Sequence, residues 1–182
     1  MKKICTVLIL SVMMLSTFAQ GKYLTKTGYI KFYSHTAIED ITAEVEKVGS
    51  IINSENGEVF ISLAMTDFDF EKELMEEHFN ENYVESEKFP KSSFKGTIVN
   101  NSEVDYESKG SYTVNIEGDM TIHDVTNKVS TEGTIQVTKN GIVAKASFML
   151  NPEDYEIKIP KMVRNKIANN LEITVDMSYK PM

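Results

Sequence analysis

Three histidines, His35, His78 and His123, and a scatter of paired acids are the side chains in this chain best equipped for chemistry. A three-histidine zinc centre would need the imidazoles to converge at about 2.1 Å from the ion and leave a fourth position open. The sequence has no His-x-His and no His-x-x-x-His, so each histidine falls on a different element and no metal is expected. Ser34 and His35 are sequence neighbours, which does not set a nucleophile against its base, and no Gly-x-Ser-x-Gly elbow occurs. Glu76 and Glu77 could serve as a carboxylate pair, but charged residues on a helix are ordinarily a solvated face. Phosphate-cradling glycine loops are absent. The chain therefore reads as a protein that is not an enzyme, with no catalytic residue and no cofactor. Its histidines are expected to tie a helix and a turn to the rim of the fold by hydrogen bonds.

Cys5 is the only cysteine, and it lies in an N-terminal stretch with the features of a secretory signal peptide. Lys2 and Lys3 precede an apolar run from Ile4 to Leu15, followed by Ser16-Thr17-Phe18-Ala19, with small residues at the positions a signal peptidase inspects. Residues 1–19 are thus expected to be removed, leaving residues 20–182 as one domain in the periplasm or the medium. That mature chain has no thiol, so disulfides, thiol nucleophiles and cysteine-based metal sites are excluded together. No later segment approaches the ~20 apolar residues of a membrane-spanning helix, so an integral membrane protein is not expected. Without Lys2 and Lys3 the 19 basic residues fall to 17 against 27 acidic ones, and Arg164 is the only arginine. Such a surface argues against nucleic acid and anionic membranes as partners. It leaves the oligomeric state open, a homodimer included.

The elements that must carry these residues are strands. "YTVNIEGDMTIHD", Tyr112 to Asp124, alternates Tyr112, Val114, Ile116, Met120 and Ile122 with polar neighbours, a run about twice the usual strand length. Similar runs place Ile30 with Phe32; Ile41, Ala43 and Val45; Val59, Ile61, Leu63 and Met65; Phe94, Gly96 and Ile98. Later come Val129, Ile135 and Val137; Ile142, Ala144, Ala146, Phe148 and Leu150; and Leu171, Ile173, Val175, Met177 and Tyr179. Asn56-Gly57 and Asn140-Gly141 are hairpin signals, and Lys109-Gly110 precedes the long run. A meander of about eight strands with one apolar face closes into a barrel to remove its edges. The expected fold is all-β: a lipocalin-like eight-stranded antiparallel β-barrel with one or two short helices at its ends.

The first helix is expected within Thr66 to Ser86, with Phe70, Leu74 and His78 on one stripe and Met75 and Phe79 beside it. A weaker helical stretch covers Lys161 to Asn170, after Pro160. An eight-stranded barrel is either filled by its own side chains or roomy enough for one small ligand. The inward Ala43, Met65, Gly96, Met120, Ala144 and Ala146, with no tryptophan, favour room. Periodicity alone leaves both outcomes open.

Two blocks, "EEHFNENYVESEKFPKSSFKG" and "VNIEGDMTIHDVTNKVSTEGTI", resemble the YceI-like family, the lipid- or polyisoprenoid-binding family, over about Lys22 to Lys180. His78 matches the family's helical histidine, and Glu85 to Pro90 with Ser93-Phe94 match the block that follows it. Met120 to Thr126 stands for the family's "LTIHGVT" turn, with Asp124 in place of glycine, and His35 has a counterpart at the end of the first strand. Two charged blocks depart from the family pattern: Asn151 to Tyr155 replaces one carrying an arginine, and Met75-Glu76-Glu77 replaces an arginine-aspartate pair. The resemblance implies an exported carrier that sequesters an isoprenoid or other lipid-like molecule, with an apolar tail a safer inference than a pyrophosphate head. The alternative is a structural or interaction barrel with a filled interior. The lining expected is Ile30, Phe32, Val45, Ile61, Leu63, Phe94, Tyr112, Val114, Ile116, Phe148, Ile173 and Val175, with Met75, His78 and Phe79 of the helix near a mouth.

Overall fold

The computed structural model describes residues 21–182; the expected signal segment lies outside the described residues. Its main strands are β1 (Lys22–His35), β2 (Asp40–Asn53), β3 (Glu58–Ala64), β5 (Lys91–Ile98), β6 (Gly110–Ile122), β7 (Val125–Thr138), β8 (Gly141–Leu150) and β9 (Leu171–Pro181). Each pairs antiparallel with the next, and β1 pairs with both β2 and β9, so the eight close into a barrel. Closure leaves the ladders without a free outer edge except where two neighbours part.

One ring of the barrel is packed and the other is hollow. Around the first, Val48, Ile52, Ile98, Val114, Ile135, Ile142, Met177 and Tyr179 are all buried and belong to one core. Gly28 makes room for Met177: a Cβ there would lie 2.0 Å from the Met177 sulfur. At the opposite ring Ile116, Met120, Ile122, Phe148, Leu150, Leu171 and Ile173 continue the same inward alternation but remain only partly covered.

The hairpins follow turn chemistry with one shift of position. His123 and Asp124 both have positive φ, 53° and 62°, between Ile122 and Val125, a two-residue loop of the mirror-image type suited to strand twist. Gly57 (φ 76°) takes the left-handed position expected of Asn56-Gly57. At the β7–β8 hairpin the last pair is Thr138 with Gly141, so the loop residues are Lys139 and Asn140. Gly141 there packs against the Tyr179 carbonyl, where a Cβ would come within 2.0 Å.

Several expected elements are altered. Helix α1 spans Glu73–His78 only and continues into a wider π turn over Phe79–Tyr83. The front of the expected helix is instead a 3₁₀ turn, Met65–Asp67, and a two-residue strand, β4 (Asp69–Phe70), paired to Ala43 and Glu44 of β2. Residues 161–170 are turns and bends and not a helix; they belong to the twenty-residue connection between β8 and β9. That connection is fastened where Ser34 Oγ accepts the Ala168 N–H (2.9 Å) and Lys166 reaches Glu39 (3.7 Å).

Candidate functional site

The hollow ring encloses a cavity of about 200 Å³, larger than the ~150 Å³ apolar cavity that stays dry and takes up benzene in a well-studied host. Its floor is the packed ring and its walls are the inward residues of the eight strands. The roof is made by Phe68 and Phe79 on one side and by Pro152 and Ile157 on the other. A run of small inward residues makes the room. Ala144 and Ala146 face Ile135 and Gly133 across β7–β8, and where Gly133 lacks a side chain the Ile116 methyl fills the space.

Phenylalanines form the roof because β2 and β3 part company. Their ladder runs only from Ile52–Val59 to Gly49–Ser62, and the wedge beyond is filled by β4 and the turn before it. Phe32, Phe70 and Phe79 pack pairwise at centroid distances of 5.1–5.8 Å, with Phe68 5.7 Å from Phe32 and 5.6 Å from Phe79. Such tilted and edge-on rings form a rigid apolar plug.

Of the fifteen expected lining residues, Ile30, Phe32, Ile61, Leu63, Phe79, Phe94, Val114, Ile116, Phe148, Ile173 and Val175 border the cavity. Val45 does not: at 1 % exposure it is sealed in the core opposite Ile30. Tyr112 folds over Gly110, its hydroxyl 2.8 Å from where a Cβ would stand, near the packed ring. Met75 packs against the core without reaching the cavity. His78 does not border it and is exposed, as is Leu74 (60 %), so the half-buried stripe that packs on the core is Met75 with Phe79 and not Leu74 with His78. The single helical turn is too short to bury both stripes, and the π turn rotates Phe79 inward. Lining residues absent from the expectation include Met120, Ile122, Leu150 and Leu171, which the same alternation could have supplied, and Phe68 and Ile157, which lie in turns without periodicity.

The other two histidines sit on the rim. His35 is exposed and bonds Asp40 Oδ1 through Nδ1 at 2.6 Å; that bond, then one from Tyr33, holds the Asp40 carboxyl below its usual range. His123, in the β6–β7 turn, donates from Nδ1 to the Tyr155 carbonyl (3.2 Å) and has Nε2 3.3 Å from Glu85, with the Phe89 ring edge-on at 4.2 Å. Glu85 also meets Lys88, which is the larger reason its carboxyl is held below the ordinary glutamate range, His123 being the second. His123 thus ties together the β6–β7 turn, the segment after α1 and the turn after β8, the fastening role expected of it. Among the described residues no three histidines, cysteines or acids gather as a metal would require, and no helix is long and apolar enough to cross a membrane.

The fold has close relatives in shape and remote ones in sequence. A polyisoprenoid binding domain from Saccharophagus degradans implicated in plant cell wall breakdown superposes with a TM-score of 0.77 at 12 % identity, covering 90 % of this chain and 99 % of that one. BcnA of Burkholderia cenocepacia matches with a TM-score of 0.64 at 12 % identity, covering 82 % and 94 %. The Campylobacter jejuni YCEI protein matches at 0.61 and 10 % identity, covering 81 % and 90 %. No curated protein matches the chain in sequence. The model of the YceI-like domain matches residues 23–179, and the chain belongs to that family.

Proposed function

We propose that this protein is an exported carrier that holds the hydrocarbon part of an isoprenoid or other lipid-like molecule in the hollow half of its barrel. The observation that carries the reading is a cavity in one ring of a barrel packed at the other, with walls almost wholly apolar. Burying a chain there contributes about 0.8 kcal/mol per CH₂, so ten carbons would gain roughly 8 kcal/mol before ordering costs, enough for retention near the micromolar range. Among the described residues, those with polar groups that border the cavity are Ser92, Ser93, Thr131, Thr134 and Tyr179, the last with its hydroxyl already bonded to Ser50, and one lysine, Lys145, already paired outside with Asp176 at 2.6 Å. Among the described residues no unpaired cation borders the cavity for an anionic head, which suits a neutral or outward-facing head. The polyisoprenoid binding of the Saccharophagus domain lends the ligand class support by likeness of fold. Export rests on the charged, apolar and small residues of positions 1–19.

Protein purified from its own host and extracted with organic solvent should release a lipid detectable by mass spectrometry. The emptied protein should then bind N-phenyl-1-naphthylamine with a fluorescence rise. An extract without lipid together with no probe uptake would sink the carrier reading. A side-chain-filled barrel, the other reading of the sequence, describes only the packed ring.

A further inference from the structure

The barrel wall is not continuous around the hollow ring. β6 and β7 pair along their whole length, from Gly110–Val137 to Ile122–Val125, and β8 and β9 pair out to Leu150–Leu171. Between them, the β7–β8 ladder stops at Gly133–Ala146. Residues 125–132 of β7 and 147–150 of β8 therefore each have a strand on one side only. Two side-chain hydrogen bonds cross the gap in place of a ladder: Thr131 Oγ1 to the Ser147 carbonyl at 3.5 Å, and Asn127 Nδ2 to the Asp154 carbonyl at 2.6 Å. From Ala146 to the end of β8 at Leu150 the gap runs about 14 Å at ~3.4 Å per residue, and the turn after β8 closes it at Asn127.

The cavity reaches this gap. Val129, Thr131 and Phe148, which flank it, border the cavity, and so do Thr134 and Lys145, whose places in the alternation are on the outer face. The comparable parting of β2 from β3 is plugged by β4 and the phenylalanine cluster. Among the described residues no strand covers the β7–β8 parting, and only the turn Pro152–Tyr155 packs against β7, at its Asn127 end. Its outward residues Lys128, Ser130, Glu132 and Ser147 are exposed and polar, the usual means of stopping another strand from adding to a bare edge, with one apolar side chain, Met149, exposed beside them. We infer that the β7–β8 gap is a side door through which a single hydrocarbon chain slides into the cavity lengthwise, its polar end staying outside among these residues. This rests on the carrier reading and names for it a ligand class: a single-chain amphiphile whose head need not pass the mouth.

The absence of cysteine beyond Cys5 makes the door testable by stapling. Ser130→Cys and Met149→Cys place thiols on the exposed outer face of the two strands, opposite one another if the register of the ladder is continued. A short bifunctional maleimide joins them; the same double variant capped with a monofunctional maleimide is the control, and both are checked by circular dichroism and melting temperature. With the control binding N-phenyl-1-naphthylamine, the stapled protein should take it up at least tenfold more slowly. Dodecyl maltoside below its micellar concentration, whose sugar head is too bulky for the cavity, should displace the probe from the control and far more slowly from the staple. Uptake and displacement at equal rates in the two forms would overturn the door while leaving the carrier standing. A control that binds no probe would remove the carrier reading and the door with it. Should the staple unfold the protein, Asn127→Ala, which removes the upper bridge, is read instead: faster exchange is expected, and an unchanged rate counts against the door.

Discussion

Tyr179 shows how the packed ring treats a polar atom. Its hydroxyl donates to Ser50 Oγ at 2.8 Å, while Ser50 donates in turn to the Phe60 carbonyl at 2.9 Å, so neither buried hydroxyl is left unmet. Burial pushes the phenol up to about 12. Tyr179→Phe keeps the ring and leaves Ser50 its acceptor, so urea denaturation at neutral pH should show a loss of about 1 kcal/mol, the net worth of one hydrogen bond. The raised value means the unfolded chain ionises first. Stability from this group is complete below about pH 10 and is lost as the pH climbs toward 12, so the variant should lose less on going into that range. Glu85 works in the opposite sense. Lys88 first and His123 second depress its folded value, so its contribution is present above the ordinary glutamate range near pH 4 and disappears as the pH falls through the folded value. Glu85→Gln should therefore melt below the parent at about pH 7 and together with it at about pH 2; a gap that persists in acid would show that the carboxylate charge is not what ties this rim.

Alternation made the strands readable, and its failures have local causes. Strands β3, β6, β8 and β9 present the inward residues expected of them because nothing interrupts their pleat. Strand β2 keeps the expected Ala43 and Val45 inward and then changes parity to Val48, Ser50 and Ile52, at the shift between Gly28–Val48 and Ile30–Val45. The extra residue lies in β2 itself, where Glu46 and Lys47, both exposed, stand between Val45 and Val48 and break the alternation. Strand β4 is silent, since two residues carry no period, and the stretch 161–170, helical in its sequence pattern, is held at Lys166 and Ala168 by Glu39 and Ser34 on other elements. The facing glycines of β5 and β6 are the clearest case of an element built for close approach. Gly96 pairs with Gly118, and the Phe94 ring lies across them, its tip 2.4 Å from a hypothetical Gly96 Cβ, with the Glu117 carbonyl at 2.5 Å. Gly96→Ala must move backbone as well as ring, so a destabilisation of roughly 1–3 kcal/mol is expected, with Phe94 displaced into the cavity and probe binding weakened. A neutral melting temperature with full binding would mean that the two strands can spread without loss.

At the scale of the whole molecule, one closed sheet does two jobs by dividing its interior, and the division explains why the site was only partly legible. The same alternating pattern runs through the packed and hollow rings, so the sequence identifies inward residues without saying which half is empty. Tyr112, expected to line the cavity, lies near the packed ring for that reason, whereas Val45 is level with Ile30 of the hollow ring and is sealed in the core. What hollows the second ring is a coincidence of small residues across strands, Ala146 against Gly133 and Ala144 beside them, visible only once register is known. This predicts a separation of stability from function. Leu at Ala146 would place added methyl groups in space now empty, gaining buried apolar area at about 25 cal/mol per Å² without removing a hydrogen bond. A gain of ~1 kcal/mol corresponds to a rise of about 2–4 °C for a domain of this size. Ala146→Leu should thus melt higher and bind N-phenyl-1-naphthylamine at least tenfold more weakly, because it occupies the room the probe needs. A purely structural barrel would gain stability with nothing lost. Stabilisation with binding intact would therefore place the ligand elsewhere, whereas a fall in both would show that the cavity is already as full as its walls allow.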